Sequence, residues 1–201
     1  MPITVFRADS ANNPPTMNEL HYRPLELLEA GMSSILESPK TAGNLDLIVR
    51  RPRSGLRETA GEARLDEAVG LVGDSWQERG SRRTPDGRAN INAQITLMNS
   101  RAIALIAGAA ERWPLAGDQL YVDLDLSEAN LPPGSRLQVG EATVEISAEP
   151  HTGCANFKSR YGAAAVAFVN SPEGRAHRLR GVNARILTGG VVRVHDAVVK
   201  L

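Results

Sequence analysis

Short stretches in which apolar and polar residues alternate follow one another directly in the second half of this 201-residue chain. Residues 118–127, "DQLYVDLDLS", alternate strictly and predict a strand with one buried face. Two short strands around Gly140 predict a hairpin, and strands are also predicted on either side of "TGG" (188–190), the second ending at the C-terminus. Because no helix separates most of these strands, a doubly wound parallel sheet is excluded. The pattern predicts a mainly β (α+β) fold, a closed and mostly antiparallel β-barrel with a few peripheral helices.

The first part of the chain carries a helical pattern instead. Apolar residues recur at helical spacing between Met17 and Leu36, and Pro24 places the start of the helix near itself rather than in its interior. A strand is predicted from Leu45 to Arg51. We therefore divide the chain into an N-terminal lead-in and helix (1–44) and a barrel domain (45–201). Further helices are predicted over 100–113 and, in two pieces broken at Ser171-Pro172, over 156–179.

Composition excludes several classes of protein. No run of eighteen apolar residues occurs, so no membrane span is expected, and the N-terminus lacks the layout of a secretory signal. The 23 basic and 23 acidic residues balance, which argues against nucleic acid as a partner. A single cysteine cannot form a disulfide within its own chain, which is typical of a cytoplasmic protein.

The basic residues are nearly all arginine, since only three of the 23 are lysine. Arginine binds phosphate and carboxylate groups with two parallel hydrogen bonds, so an anionic ligand is one explanation. Codon bias in a GC-rich genome is the other, and composition alone favours it. The long polar segment 78–92 carries four arginines (79, 82, 83 and 88), and a loop of this size is either functional or a solvated surface loop.

Most sequence motifs of catalysis are missing. The chain has no phosphate-binding loop, no dinucleotide fingerprint, no Gly-x-Ser-x-Gly elbow and no pair of histidines at metal-binding spacing. His21, His177 and His195 are interpreted as surface or capping residues.

Cys154 lies where a predicted strand ends and a helix begins, in "HTGCANFKSRYG" (151–162). A buried, inert cysteine is one interpretation. The polar, glycine-containing turn after Pro150 favours a functional thiol instead, because a helix N-terminus and the nearby Lys158 and Arg160 would favour the thiolate. A thiolate is a soft ligand for molybdenum, copper or zinc. A Cys-His pair with His151 would lack an identifiable third group.

Five segments, taken in order, resemble the MOSC domain, named for the C-terminal part of molybdenum cofactor sulfurase. They are "GLVGDSW" (70–76), "QITLMNSR" (94–101), "DLSEANLPPGSRLQVGEATVEIS" (125–147), "HTGCANFKSRYG" (151–162) and "LRGVNARILTGGVVRVHDAV" (179–198). The resemblance covers about residues 45 to 200. It implies a β-barrel that binds a molybdopterin-type molybdenum cofactor, or carries sulfur, on the family cysteine, here Cys154.

The resemblance also implies the residues of the site. Cys154 would be the metal ligand and catalytic residue, with Thr152 and Gly153 in the metal-side turn. The remaining positions match the Asn-Leu and Gly-Asp elements, or are arginines suited to a pterin phosphate: Asn130, Leu131, Gly73, Asp74, Arg79, Arg82, Arg83 and Arg101. Trp76 stands where many relatives have a His-Gly pair, so the substrate side departs from the family pattern.

Three functions follow from the resemblance. The first is a stand-alone molybdenum-dependent oxidoreductase that reduces N-hydroxylated compounds with electrons from an external donor protein. The second is a carrier that holds sulfur or cofactor, received from a donor protein, and catalyses nothing itself. The third is a barrel that has lost its cofactor site.

Overall fold

The computed structural model describes residues 5–7 and 22–201. The strands in this part of the chain are β1 (Val5–Arg7), β2 (Ala42–Arg50), β3 (Leu56–Ala60), β4 (Glu62–Asp66), β5 (Gly70–Leu71), β6 (Ile95–Asn99), β7 (Leu120–Asp123), β8 (Arg136–Val139), β9 (Ala142–Ile146), β10 (Val182–Thr188), β11 (Gly190–Arg193) and β12 (Ala197–Lys200). The α-helices are α1 (Leu25–Ala30), α2 (Met32–Leu36), α3 (Trp76–Arg79), α4 (Ser100–Ala107), α5 (Ala155–Asn170) and α6 (Pro172–Ala176), and two 3-10 helices span Ile91–Ala93 and Ala110–Ala116.

Seven strands form a closed barrel in the order β2-β12-β8-β9-β10-β6-β7, and β7 pairs back onto β2. The β6–β7 pair is parallel, whereas the other pairs around this ring are antiparallel. β3 and β1 extend the sheet beyond β2, and β11, β4 and β5 form a separate three-stranded sheet. The predicted fold class, a mostly antiparallel barrel with a few helices, is therefore confirmed.

The two faces of the barrel wall pack into two apolar clusters. Alternate residues of the strands, such as Leu97, Leu120 and Val122, fill the barrel interior. Their neighbours Met98 and Tyr121 point outward, into a second cluster beneath α1, α2, α4 and α5. This alternation is the physical basis of the period-two pattern in the sequence, because successive side chains of a strand point to opposite faces. None of the helices in the described residues is long and apolar enough to cross a membrane.

Several predicted elements are confirmed. Pro24 is the N-cap of α1, and the part of the predicted helix before residue 22 lies outside the described residues. The hairpin around Gly140 is formed by β8 and β9, and the helix after Cys154 is interrupted at Ser171. β2 starts at Ala42, three residues before the predicted strand.

The predicted strand over 118–127 is wrong in its second half. β7 ends at Asp123, which pairs with Asn44 near the start of β2. Beyond this point the carbonyl oxygen of Leu124 accepts a hydrogen bond from Asn99 Nδ2 instead of a strand partner. Leu124 and Leu126 are still buried, so their alternation reflects burial without a strand.

The predictions for the helix over 100–113 and for the C-terminal strand also need correction. α4 ends before Gly108, whose φ of +78° ends the helix, and a 3-10 helix follows. The strand predicted after "TGG" is two strands, β11 and β12, because the chain turns at His195 with a φ of +77°. Residues other than glycine are uncommon at positive φ, and no glycine stands near His195 to signal this turn in the sequence.

Candidate functional site

Cys154 is exposed and forms the N-cap of α5. Its side chain makes no capping hydrogen bond, while its carbonyl oxygen accepts from the backbone N–H of Lys158 at 2.9 Å. α5 is kinked at Gly162, which has a φ of +88° and a ψ of 173°. The structure thus presents the thiol at the surface, which contradicts the interpretation of Cys154 as a buried core residue.

The turn that holds Cys154 is fixed to the far end of the same kinked helix. The backbone N–H of Gly153 donates to Asn170 Oδ1 at 3.0 Å, and Asn170 Nδ2 donates to the Gly153 carbonyl oxygen at 3.2 Å. A β-carbon at Gly153 would lie 2.9 Å from a methyl carbon of Val169. Glycine is therefore needed here for close approach, and the reciprocal amide bonds hold the thiol in a defined place.

His151 belongs to a buried polar group at the base of this turn. Its Nε2 lies 3.5 Å from Oδ1 of Asp118, whose other carboxylate oxygen accepts from Arg180 Nη1. Arg180 Nη2 also donates to the Ala116 carbonyl oxygen at 2.9 Å, and its guanidinium lies 4.9 Å from the ring centroid of Phe157 on α5. The side chains of Asp118 and Arg180 are 0% and 7% exposed. This group joins the barrel end of β7 to the Cys154 turn.

Three buried polar atoms of the same group have no hydrogen-bond partner: His151 Nδ1, Asp118 Oδ1 and Arg180 Nε. Unsatisfied buried polar atoms are costly, by about 1–3 kcal/mol each, and call for an explanation. His151, Thr152 and Arg180 also line a cleft of about 470 Å³ between segments 147–152 and 174–183. Two of the three unsatisfied atoms, His151 Nδ1 and Arg180 Nε, therefore belong to residues that line a cleft large enough for a small ligand.

Burial lowers the pKa of His151 from 6.5 to about 3, and the positive charge of Arg180 contributes in the same direction. The folded protein therefore holds His151 neutral while the unfolded chain takes up a proton below about pH 6.5. The free energy of unfolding therefore decreases as the pH falls through the histidine pKa of the unfolded chain, by about 2 kcal/mol between pH 7 and pH 5. We expect His151→Gln to remove this loss.

The measurement is urea unfolding of wild type and His151→Gln at both pH values. Replacing His177, the C-cap residue of α6, by glutamine is the matched control. An equal pH dependence in wild type and His151→Gln would contradict the assignment of a neutral, buried His151.

The arginine-rich loop contacts the segment that leads into the Cys154 turn. Arg83 Nη1 donates to Glu149 Oε2 at 3.0 Å and to the Pro150 carbonyl oxygen at 3.3 Å. Arg82 is exposed. Arg79 lies at the end of α3, with Nη2 3.6 Å from Asp74 Oδ1. Of the loop arginines predicted as phosphate anchors, Arg83 is thus the one placed against residues 149–150.

Asp74 lies in a second buried ion pair. Its carboxylate accepts from Arg51 Nε and Nη2 at 2.7 and 3.0 Å, and from the backbone N–H groups of Arg51 and Trp76. Gly73 before it has a φ of +87°, so this turn favours glycine. These contacts give Asp74 a role in anchoring the turn after β5 to the end of β2.

Arg101 and Asn130 are engaged elsewhere in the described structure. Arg101 forms a bidentate ion pair with Asp123, at 2.7 and 3.1 Å. Asn130 Nδ2 donates to the carbonyl oxygens of Lys40 and Asp125, and Lys200 Nζ donates to Asn130 Oδ1. Leu131 is fully buried in the barrel core. The structure brings Thr152, Gly153, Cys154 and Arg83 into one region. Arg101, Asn130 and Leu131 instead hold other segments of the chain together.

Sequence reasoning missed four residues that the fold gathers beside the Cys154 turn, and it considered Arg160 only as a cation near the thiol. All five share contacts with the turn 115–118 or with each other, and are Arg51, Arg57, Asp118, Arg160 and Arg180. No local motif marks these contacts, because Arg51 meets Gly117 across 66 residues of sequence and Arg180 meets Asp118 across 62. The excess of arginine over lysine was the one signal that pointed toward them.

Comparison with known proteins places the fold. Neither a family model nor a curated protein sequence matches the chain. Among solved structures, the YuaD protein from Bacillus subtilis superposes with a TM-score of 0.57 at 17% identity, covering 78% of this chain and 94% of that one. A hypothetical protein superposes with a TM-score of 0.56 at 19% identity, covering 81% and 69% of the two chains.

YiiM from Escherichia coli superposes with a TM-score of 0.50 at 18% identity, covering 79% of this chain and 69% of that one. YuaD and YiiM are MOSC-domain proteins. At these identities the likeness establishes the fold alone. The barrel of this chain is therefore MOSC-like, as the resemblance in its sequence predicted.

Proposed function

We propose that this MOSC-like barrel binds a molybdenum-pterin cofactor through the Cys154 thiolate and reduces N-hydroxylated substrates with electrons from an external donor protein. The observation that supports the proposal most directly is the exposed thiol in a fixed turn, two residues after Thr152, which lines a cleft together with His151 and Arg180. This combination offers a soft ligand for the metal and polar side chains in the cleft for an organic ligand.

The metal-ligating side chains around Cys154 fit a cofactor that supplies most of the metal's ligands itself. In residues 5–7 and 22–201, no three His, Cys, Asp or Glu side chains lie together as a metal-binding group. A metal at Cys154 would therefore take its other ligands from the pterin. When bound, such a cofactor supplies two-electron redox chemistry.

The protein's own residues have separable roles in this proposal. Gly153 and Asn170 position the thiol through their reciprocal hydrogen bonds. Arg180 lines the cleft and is held by Asp118, so it contributes a fixed positive charge to the cleft wall. His151 is neutral at physiological pH and lines the same cleft, so its imidazole contributes polarity there without charge.

One observation favours a second candidate, a carrier of sulfur or cofactor without catalysis. The Cys154 side chain is exposed and makes no capping hydrogen bond, so another protein can reach the sulfur directly. A persulfide on this thiol would be the carried form.

The two candidates are tested on protein purified from cells that make the cofactor. Molybdenum per chain, measured by mass spectrometry of the metal, is expected to approach one. Reduction of a hydroxylamine-type substrate with an artificial electron donor is expected for the oxidoreductase. Metal without reduction, or a persulfide on Cys154 in the intact mass, would favour the carrier. Absence of both metal and persulfide would overturn both.

A further inference from the structure

The helix α5 turns back on itself at Gly162. A straight α-helix rises about 1.5 Å per residue, so the 16 residues of α5 would span about 24 Å. Gly153 and Asn170, at the two ends of α5, are nevertheless joined by hydrogen bonds of 3.0 and 3.2 Å. The backbone of Gly162, with a φ of +88° and a ψ of 173°, is therefore the apex between two halves that run in opposite directions. We call these halves the thiol segment (154–161) and the return segment (163–170).

The thiol segment is too short to keep its conformation alone, because isolated helices shorter than about 12 residues are marginal in water. Its buried side chains Phe157 and Tyr161 pack into the apolar cluster outside the barrel wall. Its first end is fixed by the hydrogen bonds between Gly153 and Asn170. The contacts at its other end, at the apex, therefore decide how firmly Cys154 is held in place.

Side chains from other parts of the chain bind the carbonyl groups of the thiol segment at the apex. The last four carbonyl groups of a helix have no partner within that helix. The Ser159 carbonyl oxygen accepts from Tyr22 Oη at 3.0 Å, and the Arg160 carbonyl oxygen accepts from Arg112 Nη2 at 2.7 Å. Tyr22 and Arg112 thus hold the end of the thiol segment from two sides.

The support from Arg112 belongs to the packed core. Tyr161 Oη donates to the Arg112 carbonyl oxygen at 2.6 Å, and the Arg112 guanidinium lies 5.5 Å from the centroid of the Tyr161 ring. Tyr161 is 1% exposed. A substitution at Arg112 would therefore disturb a buried side chain as well as the apex.

The support from Tyr22 lies at the surface. Tyr22 precedes α1 by three residues, and a β-carbon at Gly162 would lie 2.9 Å from its Cγ and 3.0 Å from its Cδ2. The tyrosine ring therefore lies directly against the apex, at a place that only glycine leaves open. Because Tyr22 is 41% exposed, it can be replaced without leaving a cavity in the core.

We propose that Tyr22 is a positioning residue for Cys154. Its ring covers the apex at Gly162 and its hydroxyl holds the end of the thiol segment, so that both fix the angle between the two halves of α5. The thiol then keeps one place, two residues after Thr152 in the cleft wall. Loss of Tyr22 loosens the thiol segment with or without a metal, whereas its consequence for molybdenum rests on the proposed function.

The first test is amide hydrogen exchange of cofactor-free protein, measured by mass spectrometry on peptides that cover residues 158–161. Tyr22→Ala is expected to raise the exchange rate of these amides about tenfold or more, because it removes the ring contact and the hydrogen bond. Tyr22→Phe keeps the ring, and is expected to raise the rate about threefold. Leu27→Ala is the matched control, since it truncates a side chain of similar exposure, 44%, on the neighbouring α1.

Unchanged exchange of residues 158–161 in Tyr22→Ala would overturn the proposal. An equal rise in these amides and in those of β10 would do the same, because a general loss of stability is the effect of a merely structural residue.

A nitroxide label gives an independent measurement, because Cys154 is the only cysteine of the chain. The motion of the label, read from its electron spin resonance spectrum, is expected to increase in Tyr22→Ala and to match wild type in Leu27→Ala. Equal motion in wild type and Tyr22→Ala would contradict a positioning role.

The consequence for the metal is measured on the same variants, purified from cells that make the cofactor. Tyr22→Ala is expected to contain at least about threefold less molybdenum than wild type, and Leu27→Ala the wild-type amount, since a loosely held ligand binds less well. Wild-type molybdenum in a Tyr22→Ala protein with a loosened thiol segment would refute the role of Tyr22 in metal binding. A wild type without molybdenum would overturn the proposed function, and the exchange and label measurements would still decide whether Tyr22 positions the thiol.

Discussion

Replacing Cys154 by serine is expected to lower the molybdenum content of the purified protein at least about tenfold, with little change in stability. The reason is that the thiolate is the soft ligand of the proposed site, and a serine hydroxyl at the same exposed position is a poor ligand for the metal. The free energy of unfolding is expected to change by less than about 0.5 kcal/mol, since the side chain is exposed and makes no capping hydrogen bond.

The measurement is the molybdenum content per chain of wild type and variant, prepared in parallel from cells that make the cofactor. Ala155→Ser is the control, because it places a hydroxyl on the adjacent exposed residue and keeps the thiol. Equal molybdenum in wild type and Cys154→Ser would show that the metal is held by other groups, and the ligand role of Cys154 would be wrong.

Replacing Asp74 by alanine is expected to destabilise the folded protein by about 3–5 kcal/mol. The Asp74 side chain is 0% exposed and that of Arg51 is 8% exposed, so the variant leaves a buried guanidinium without its carboxylate. It also removes the acceptor of two backbone N–H groups, those of Arg51 and Trp76. Asp74 was predicted from the resemblance as a cofactor-binding residue, and its contacts assign it at least this structural role.

Urea unfolding of wild type and Asp74→Ala gives the change in free energy. Asp86→Ala is the matched control: its side chain is 58% exposed, its partner Arg88 lies 3.6 Å away, and surface ion pairs contribute about 0–1 kcal/mol. A loss below about 1 kcal/mol in Asp74→Ala would contradict the importance of the buried pair. The double variant Arg51→Met/Asp74→Leu is expected to recover part of the loss, because it leaves no uncompensated charge.

The sequence predicted the class of fold and the position of the Cys154 turn because both depend on near neighbours. Period-two alternation marks strands such as β8 and β9, and Pro24 and Ser171 mark helix boundaries through local backbone geometry. The same reasoning failed at Leu124 and Leu126, where alternation continues after the partner strand has ended. It also failed at His195, which turns the chain without glycine.

The candidate site was predictable only in part. Thr152, Gly153 and Cys154 are consecutive, so their proximity follows from the chain itself. The partners of the arginines, by contrast, do not follow from their positions in the chain. Arg101 meets Asp123 because α4 follows β6 directly and β6 pairs with β7, and Arg180 meets Asp118 across 62 residues of sequence. No spacing rule relates such residues, so Arg79, Arg82, Arg83 and Arg101 could not be ranked as anion ligands beforehand.

By itself, the sequence determined the alternating strands, the helix boundaries at proline and serine, and a single thiol in a glycine turn, because these follow from steric and hydrophobic preferences within a few residues. The tertiary structure alone decided which charges meet. Closure of the barrel between β2 and β7 brings Arg51 to Gly117, and the kinked α5 brings Arg160 to the same turn. Those contacts depend on strand register and helix packing over the whole chain, and they set the charge around Gly117.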